Sequence, residues 1–236
     1  MLKYLGIILI FCQYSFSQED KSRAFDFVFE SVLEHHRTFD YKIHKAYINQ
    51  DYAKVDALFE DFIEDNLHNK IMNDFYWNKF RSRYKSLYDI DLPVYLLTRS
   101  SWSLPSVGEV PAVNKLAKKY KNQIKFVVLF WDSRQKMKSQ GRKYSRHVEV
   151  VYIDELKNKD SYTIKALKHV LGVPVAFIMD EKKHVLEVNR PEATPFDTKE
   201  DEAELTHLKH IEKQVHHVLN KRQNLISEKS AENNRQ

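Results

Sequence analysis

Two serines three residues apart, Ser103 and Ser106, lie in the stretch Thr-Arg-Ser-Ser-Trp-Ser-Leu-Pro-Ser-Val-Gly-Glu-Val-Pro at residues 98–111. An apolar run, residues 94–97, leads in, and a helical pattern, residues 113–120, leads out. A strand that ends in a tight turn opening a helix offers free backbone N–H groups and the positive end of a dipole. A cysteine in such a place is pushed toward thiolate and becomes a nucleophile. A serine hydroxyl cannot exchange with a disulfide or store two electrons as one. As a hydrolytic nucleophile it needs a base that is itself oriented by a third group. Eleven histidines are available, but none sits in a recognisable motif of that kind. Ser103 therefore reads as a helix N-cap, with Leu104 and Pro105 in the first turn, where proline is tolerated. Trp102 beside it is either a core aromatic or the wall of a surface groove.

Two other groups invite chemistry. His207, His210, His216 and His217 share a long amphipathic segment. His207 and His210 are one turn apart, close enough to share an ion, whereas His210 and His217 are two turns apart. The four fall opposite the apolar stripe, so a solvated face is the expectation and no metal is assigned. Glu109 either caps the helix that follows or stays solvated.

The elements that would position these residues follow from periodicity. Residues 24–36, 41–49 and 51–65 carry apolar residues at helical spacing, with Asp51 as the N-cap of the third segment. Residues 66–91, rich in aromatics, read as mostly helical, with a β-hairpin and short helix as the alternative. From residue 92 strands and helices alternate. Strands are expected at 92–98, 124–131, 148–153, 175–179 and 184–188, the last two antiparallel around the turn Asp180-Glu181-Lys182-Lys183. The run at 124–131, Ile-Lys-Phe-Val-Val-Leu-Phe-Trp, suits a central strand covered on both faces. Helices are expected at 107–121, 134–144 and 161–171, the last capped by Asp160 or Ser161 and closed by Gly172. A linker at 191–199 precedes a helix at 200–226 with Leu205, Leu208, Ile211, Val215, Val218, Leu219 and Ile226 on its stripe. This order gives a mixed α/β sheet with helices on both faces.

The 236 residues suffice for a sizeable core, and 13% aromatic content argues against disorder. A formal charge of +5 is modest and well mixed, with no dense basic block interleaved with aromatics, so nucleic acid is not an expected partner. Residues 1–17 read as a signal peptide: Lys3 is the charged start, residues 5–11 are an apolar stretch too short to span a bilayer, and Ser15 and Ser17 are small residues before the cut. No later segment approaches transmembrane length. The one cysteine, Cys12, lies inside that signal; Phe11 before it disfavours a lipid anchor. The expected mature chain is exported, periplasmic and free of cysteine, so it forms no disulfide although its compartment permits them.

Three local patterns, in order, resemble the thioredoxin-like superfamily and its exported thiol-disulfide oxidoreductase branch of TlpA/ResA type. Trp102-Ser103-Leu104-Pro105-Ser106 is similar to the family's Trp-Cys-x-Pro-Cys, with serine at both cysteine positions. Glu109-x-Pro111 is similar to the branch's Glu-x-Pro, whose proline would kink its helix. Gly172-Val173-Pro174 is similar to Gly-Val-Pro-Thr, with Val175 in place of threonine; the resemblance implies a cis bond before Pro174, facing the turn. It covers residues 92–189 and implies a thioredoxin-like fold with an N-terminal helical extension and a long C-terminal helix. The expected organisation is a signal peptide at 1–17, a helical region at 18–91, the thioredoxin-like domain at 92–190, and a linker, helix and polar tail at 191–236. In active relatives Glu109 would tune the site; here it has no thiol to tune. The resemblance implies a groove at Trp102, Leu104, Pro105, Val173 and Pro174 that accepts an extended peptide. The expected function is non-catalytic binding of a protein or peptide, without cofactor. The alternatives are an oxidoreductase role like that of the relatives, and a structural part in an exported assembly.

Overall fold

The computed structural model describes residues 26–158, 161–191, 193–195 and 197–233, with side chains of the last helix described to residue 221. The expected signal peptide, Cys12, the start of the first helix at residues 24–25 and the cap at Asp160 lie outside the described residues. The chain divides between Asn73 and Asp74 into two compact units.

The first unit is a helical hairpin of α1 (Val28–Ile48) and α2 (Tyr52–Asn66). One helix replaces the two expected at 24–36 and 41–49. The link between them contains neither glycine nor proline, and Val28, Val32, Phe39 and Ala46 keep a single buried stripe through it. Gln50, at φ 55°, makes the turn, and the Asp51 carboxylate accepts the Lys54 N–H at 3.1 Å, capping α2 as expected. Phe39 stacks on Phe62 with ring centres 4.2 Å apart.

The second unit is a six-stranded mixed sheet, in the order β1-β4-β3-β2-β5-β6. Its strands are β1 (Asn78–Arg81), β2 (Val94–Arg99), β3 (Lys125–Phe130), β4 (Val148–Tyr152), β5 (Val175–Met179) and β6 (Val185–Asn189). β2, β3 and β4 are parallel, while β1, β5 and β6 run antiparallel to their neighbours. The helices are α3 (Glu109–Lys119), α4 (Arg134–Gly141), α5 (Ser161–Ile164, continued by π-helical turns over Lys165–Val170) and α6 (Glu200–Asn233). Alternate residues of the sheet, including Tyr95, Leu97, Phe126, Val128, Ala176 and Ile178, form one core with Val113 and Leu116 of α3 and Ile211, Val215 and Val218 of α6. Their neighbours Leu96, Val127, Leu129 and Phe177 are also fully buried, so the central strands are covered on both faces.

Residues 67–91 are not helical, contrary to the expectation. They hold irregular turns and the edge strand β1, and residues 74–91 belong to the unit of the sheet. Local side-chain bonds compete with helix here. The Asp89 carboxylate accepts the N–H groups of Lys85 at 2.7 Å and Ser86 at 3.1 Å, and Trp77 Nε1 donates to Tyr84 O at 3.0 Å. The aromatic spacing was produced by turns around buried Trp77 and Leu87, not by a helix face.

Two further details differ from expectation. α5 gives way to π-helical turns, then closes at Gly172, which has φ 79° and donates to Lys168 O at 3.0 Å. Leu205, expected on the apolar stripe of α6, is exposed, and Ala203 and His207 are buried instead. Among the described residues no helix is long and apolar enough to cross a membrane.

Candidate functional site

β2 carries the chain out of the sheet at Arg99, and residues 100–108 form a loop before α3. Its base is tied down. The Asp132 carboxylate, just past β3, accepts Ser101 N–H at 2.6 Å and Ser101 Oγ–H at 2.8 Å. Gln140 Nε2 of α4 donates to Ser101 O. Ser103 N donates to Ser100 O at 3.0 Å, closing a tight turn. Above this base Trp102 and Leu104 are 72% and 74% exposed. Trp102 is therefore not a core aromatic.

α3 starts at Glu109, not at 107, and its N-cap is Gly108 at φ 78°. Ser103 is thus not the expected N-cap, and Leu104 and Pro105 are not in a first turn. The dipole effect fades within the first turn of a helix, so it does not reach Ser103. Pro111 is the third residue of α3. The first N–H with an intrahelical acceptor is that of Ala112, which reaches Gly108 O at 3.1 Å. Proline at 111 therefore removes no helical bond, and the expected cause of a kink is absent.

Glu109 is 2% exposed. One oxygen accepts the N–H of Ser106 at 3.2 Å, in the loop ahead of the N-cap Gly108, so Glu109 braces the loop and does not cap the helix. The other pairs with Arg99, which is 1% exposed, so the solvated alternative is excluded. Arg99 Nη2 also lies 3.4 Å from Ser103 O. A buried ion pair thus ties the end of β2, the serine turn and the start of α3 together. It lies close enough to two buried phenols to act on both. Burial pushes the Tyr95 hydroxyl well above its usual range, with Glu109 adding to the rise and Arg99 opposing it. The same burial raises Tyr144, with Arg99 opposing and Glu109 adding. Both phenols stay neutral near pH 7. Sequence reasoning missed Arg99; the signal was a guanidinium at the end of a mostly apolar strand, ten residues before a glutamate.

The opposite segment is placed by register. Thr98 pairs with Val175 across β2 and β5, and Thr98 Oγ1 donates to Val175 O at 3.1 Å. The Val173–Pro174 bond that immediately precedes is cis, as expected. Val173 and Pro174, half-buried, hence sit at the same end of the sheet as the loop. A shallow cavity of about 440 Å³ has Leu104, Pro105 and Ser106 on one side and Val110, Pro111 and Asn114 on the other. Val173, Pro174 and Trp102 do not line it. Of the expected groove residues, Leu104 and Pro105 therefore line the cavity, while exposed Trp102 and half-buried Val173 and Pro174 lie outside it.

α6 abuts the loop from behind. Thr194 Oγ1 lies 3.4 Å from Val107 O and 2.9 Å from His207 Nε2. His207 is buried, which corrects its placement on a solvated face. The other histidines are engaged separately: His210 with Gln214, His216 with Tyr120, and His217 with Glu187. Among the described residues no group of three or more His, Cys, Asp or Glu is arranged to hold a metal ion.

One prediction arises from the base of the loop. Asp132→Ala removes two bonds to a charged acceptor and is expected to destabilise the protein by about 1.5–3 kcal/mol. Hydrogen exchange at the Ser101 amide should accelerate well before global unfolding. Unchanged protection at Ser101 would show that Asp132 does not hold the turn.

The sheet order, the parallel β2-β3-β4 core, the antiparallel β5-β6 hairpin and the cis-proline before β5 define a thioredoxin-like fold. No family model and no curated protein matches the chain. Solved structures do. One is a thiol:disulfide interchange protein, DsbE, from Chlorobium tepidum, at 20% identity and TM-score 0.47, over 62% of this chain and 94% of that one. Another is the thioredoxin domain of a thiol-disulfide oxidoreductase from Bacteroides vulgatus, at 13% identity and TM-score 0.46, over 63% and 97%. A third is the exposed lipoprotein thioredoxin Etrx1 of Streptococcus pneumoniae, at 16% identity and TM-score 0.41, over 58% and 99%. These likenesses are partial, and the fold class rests on the topology of this chain itself.

Proposed function

We propose that this protein is an exported, non-catalytic member of the thioredoxin-like group, and that the loop at 100–108 holds an extended segment of a protein partner. The observation that carries the reading is a turn pinned from beneath by Asp132, Gln140 and the Arg99–Glu109 pair, yet presenting Trp102 and Leu104 almost bare. A rigid turn with an exposed indole loses little conformational entropy on binding, and tryptophan is a favoured anchor at interfaces. Serine at 103 and 106 supplies no thiolate, so the surface binds without exchanging disulfides. Export rests on the character of residues 1–17.

The test is an amide chemical-shift titration of the mature chain with a reduced, carboxymethylated unfolded protein. Shifts are expected at residues 101–106 and 173–175. Trp102→Ala should weaken binding about tenfold or more, the loss of an interfacial aromatic anchor, while leaving stability within about 0.5 kcal/mol, as for an exposed side chain. An insulin reduction assay on the same sample should show no turnover. Shifts absent from both segments, binding indifferent to Trp102, or measurable reduction would each overturn the reading.

A further inference from the structure

A second cavity, of about 670 Å³, opens at the carboxyl ends of β3 and β4. It lies between the residues leading into β1, the start of α4 and the segment after β4. Its volume falls in the range of small-molecule sites. The crevice outside the carboxyl ends of parallel strands is where open α/β sheets commonly take ligands. No serine of the loop contributes to it, and no residue of the 440 Å³ cavity lines it.

Its lining selects a chemistry. Tyr76 presents a ring that is 71% exposed, and Tyr152 a half-buried one. Trp77 adds ring surface alone, because its Nε1–H already donates to Tyr84 O at 3.0 Å. These three aromatics form walls suited to a flat apolar body. Charge is supplied by Arg134 and Lys157, neither of which is ion-paired among the described residues. The guanidinium of Arg134 rests 5.7 Å over the Phe80 ring, which orients it without using its N–H donors on an acid. The single acid in the lining, Asp154, is buried, and its Oδ1 accepts the N–H of Leu156 at 3.3 Å. Ser133 adds a hydroxyl that does not cap α4. Two exposed cations against one buried carboxylate leave the lining net positive, and with the aromatic walls they match a planar ligand that carries an oxyanion.

We propose that this cavity binds a small aromatic compound bearing a carboxylate or phosphate group, with the ring between Tyr76 and Tyr152 and the oxyanion on Arg134 and Lys157. The site is separate from the peptide-binding loop, so either can fail without the other.

The experiment is an amide chemical-shift titration of the mature chain with phenyl phosphate, benzoate, phenol and inorganic phosphate in parallel. Saturable shifts are expected for phenyl phosphate or benzoate at Asn78, Ser133, Arg134 and Tyr152; the tighter of the two names the oxyanion. Phenol and inorganic phosphate, each with half of the chemistry, should bind at least tenfold more weakly. The double variant Arg134→Ala, Lys157→Ala and the single variant Tyr152→Ala should each weaken the preferred probe at least tenfold. Arg134 and Lys157 are exposed, and an unchanged unfolding curve checks that the double variant is folded. The proposal is overturned if neither anionic probe gives saturable shifts by 10 mM, a weak-fragment ceiling about tenfold above the 1 mM reference affinity. It is equally overturned if the shifts survive the double variant or centre on residues 102–106.

Discussion

Removing one partner of the Arg99–Glu109 pair is expected to cost about 3–5 kcal/mol of folding stability, because it strands a buried charge. Both side chains are almost wholly inaccessible. In Glu109→Ala the guanidinium keeps only a 3.4 Å contact to Ser103 O, and Ser106 N–H loses its 3.2 Å acceptor. In Arg99→Met the carboxylate faces two buried phenols, Tyr95 and Tyr144, without a cation. The double variant Arg99→Met, Glu109→Leu removes both charges at similar volume, and it should recover most of the loss. Chemical denaturation of the two single variants and the double variant measures the cycle. Single variants that each cost under about 1 kcal/mol, the scale of an exposed ion pair, would show that the pair is not a buried, desolvated one. A total stability of about 5–15 kcal/mol makes the expected loss large enough to populate unfolded chain.

Gly108→Ala should be the most damaging glycine substitution in the second unit. Gly108 sits at φ 78°, and an added Cβ would lie 2.3 Å from Glu204 N and 2.6 Å from Ala203 C. Those atoms are backbone in the first turn of α6 and cannot rotate away. Ala203 is fully buried, its N–H bonds Lys199 O at 2.9 Å, and Glu204 pairs with Lys115 of α3. Left-handed strain of about 1–2 kcal/mol adds to overpacking of about 1–3 kcal/mol, giving about 2–5 kcal/mol. Gly172→Ala is the control. It has φ 79°, but nothing lies within 4 Å of its added Cβ, so only the strain remains. Equal unfolding midpoints for the two variants would show that α6 does not press on Gly108.

Gly108 also shows why the start of α3 was misplaced. The apolar pattern of residues 110–120 fixes a helix but says little about its first turn. A helix could begin at 107 on local grounds; the approach of α6 and the capture of Glu109 by Arg99 place the start at 109. Ser103, six residues before that start, makes no cap. Pro111 follows the same logic, since its effect depends on which turn it occupies.

Several elements follow from short-range pattern alone. Unbroken apolar runs specified β2, β3 and β5. The polar turn Asp180-Glu181-Lys182-Lys183 specified the β5–β6 hairpin. Gly172 marked a helix end, and the resemblance at Gly172-Val173-Pro174 implied the cis bond that the structure contains. The absence of thiol chemistry at 103 and 106 needs no coordinates. Where polar groups are hidden follows instead from contacts made in the folded chain. Arg99, Glu109 and His207 look like surface residues by type, yet each is buried where a partner from outside its own helix or strand meets it. Likewise residues 67–91 carry aromatics at helical spacing, but turn bonds of Asp89 and the vacant edge of β4 draw them into irregular chain and strand β1. Periodicity records which side chains are apolar; which polar ones go inside depends on charge partners that only folding brings together.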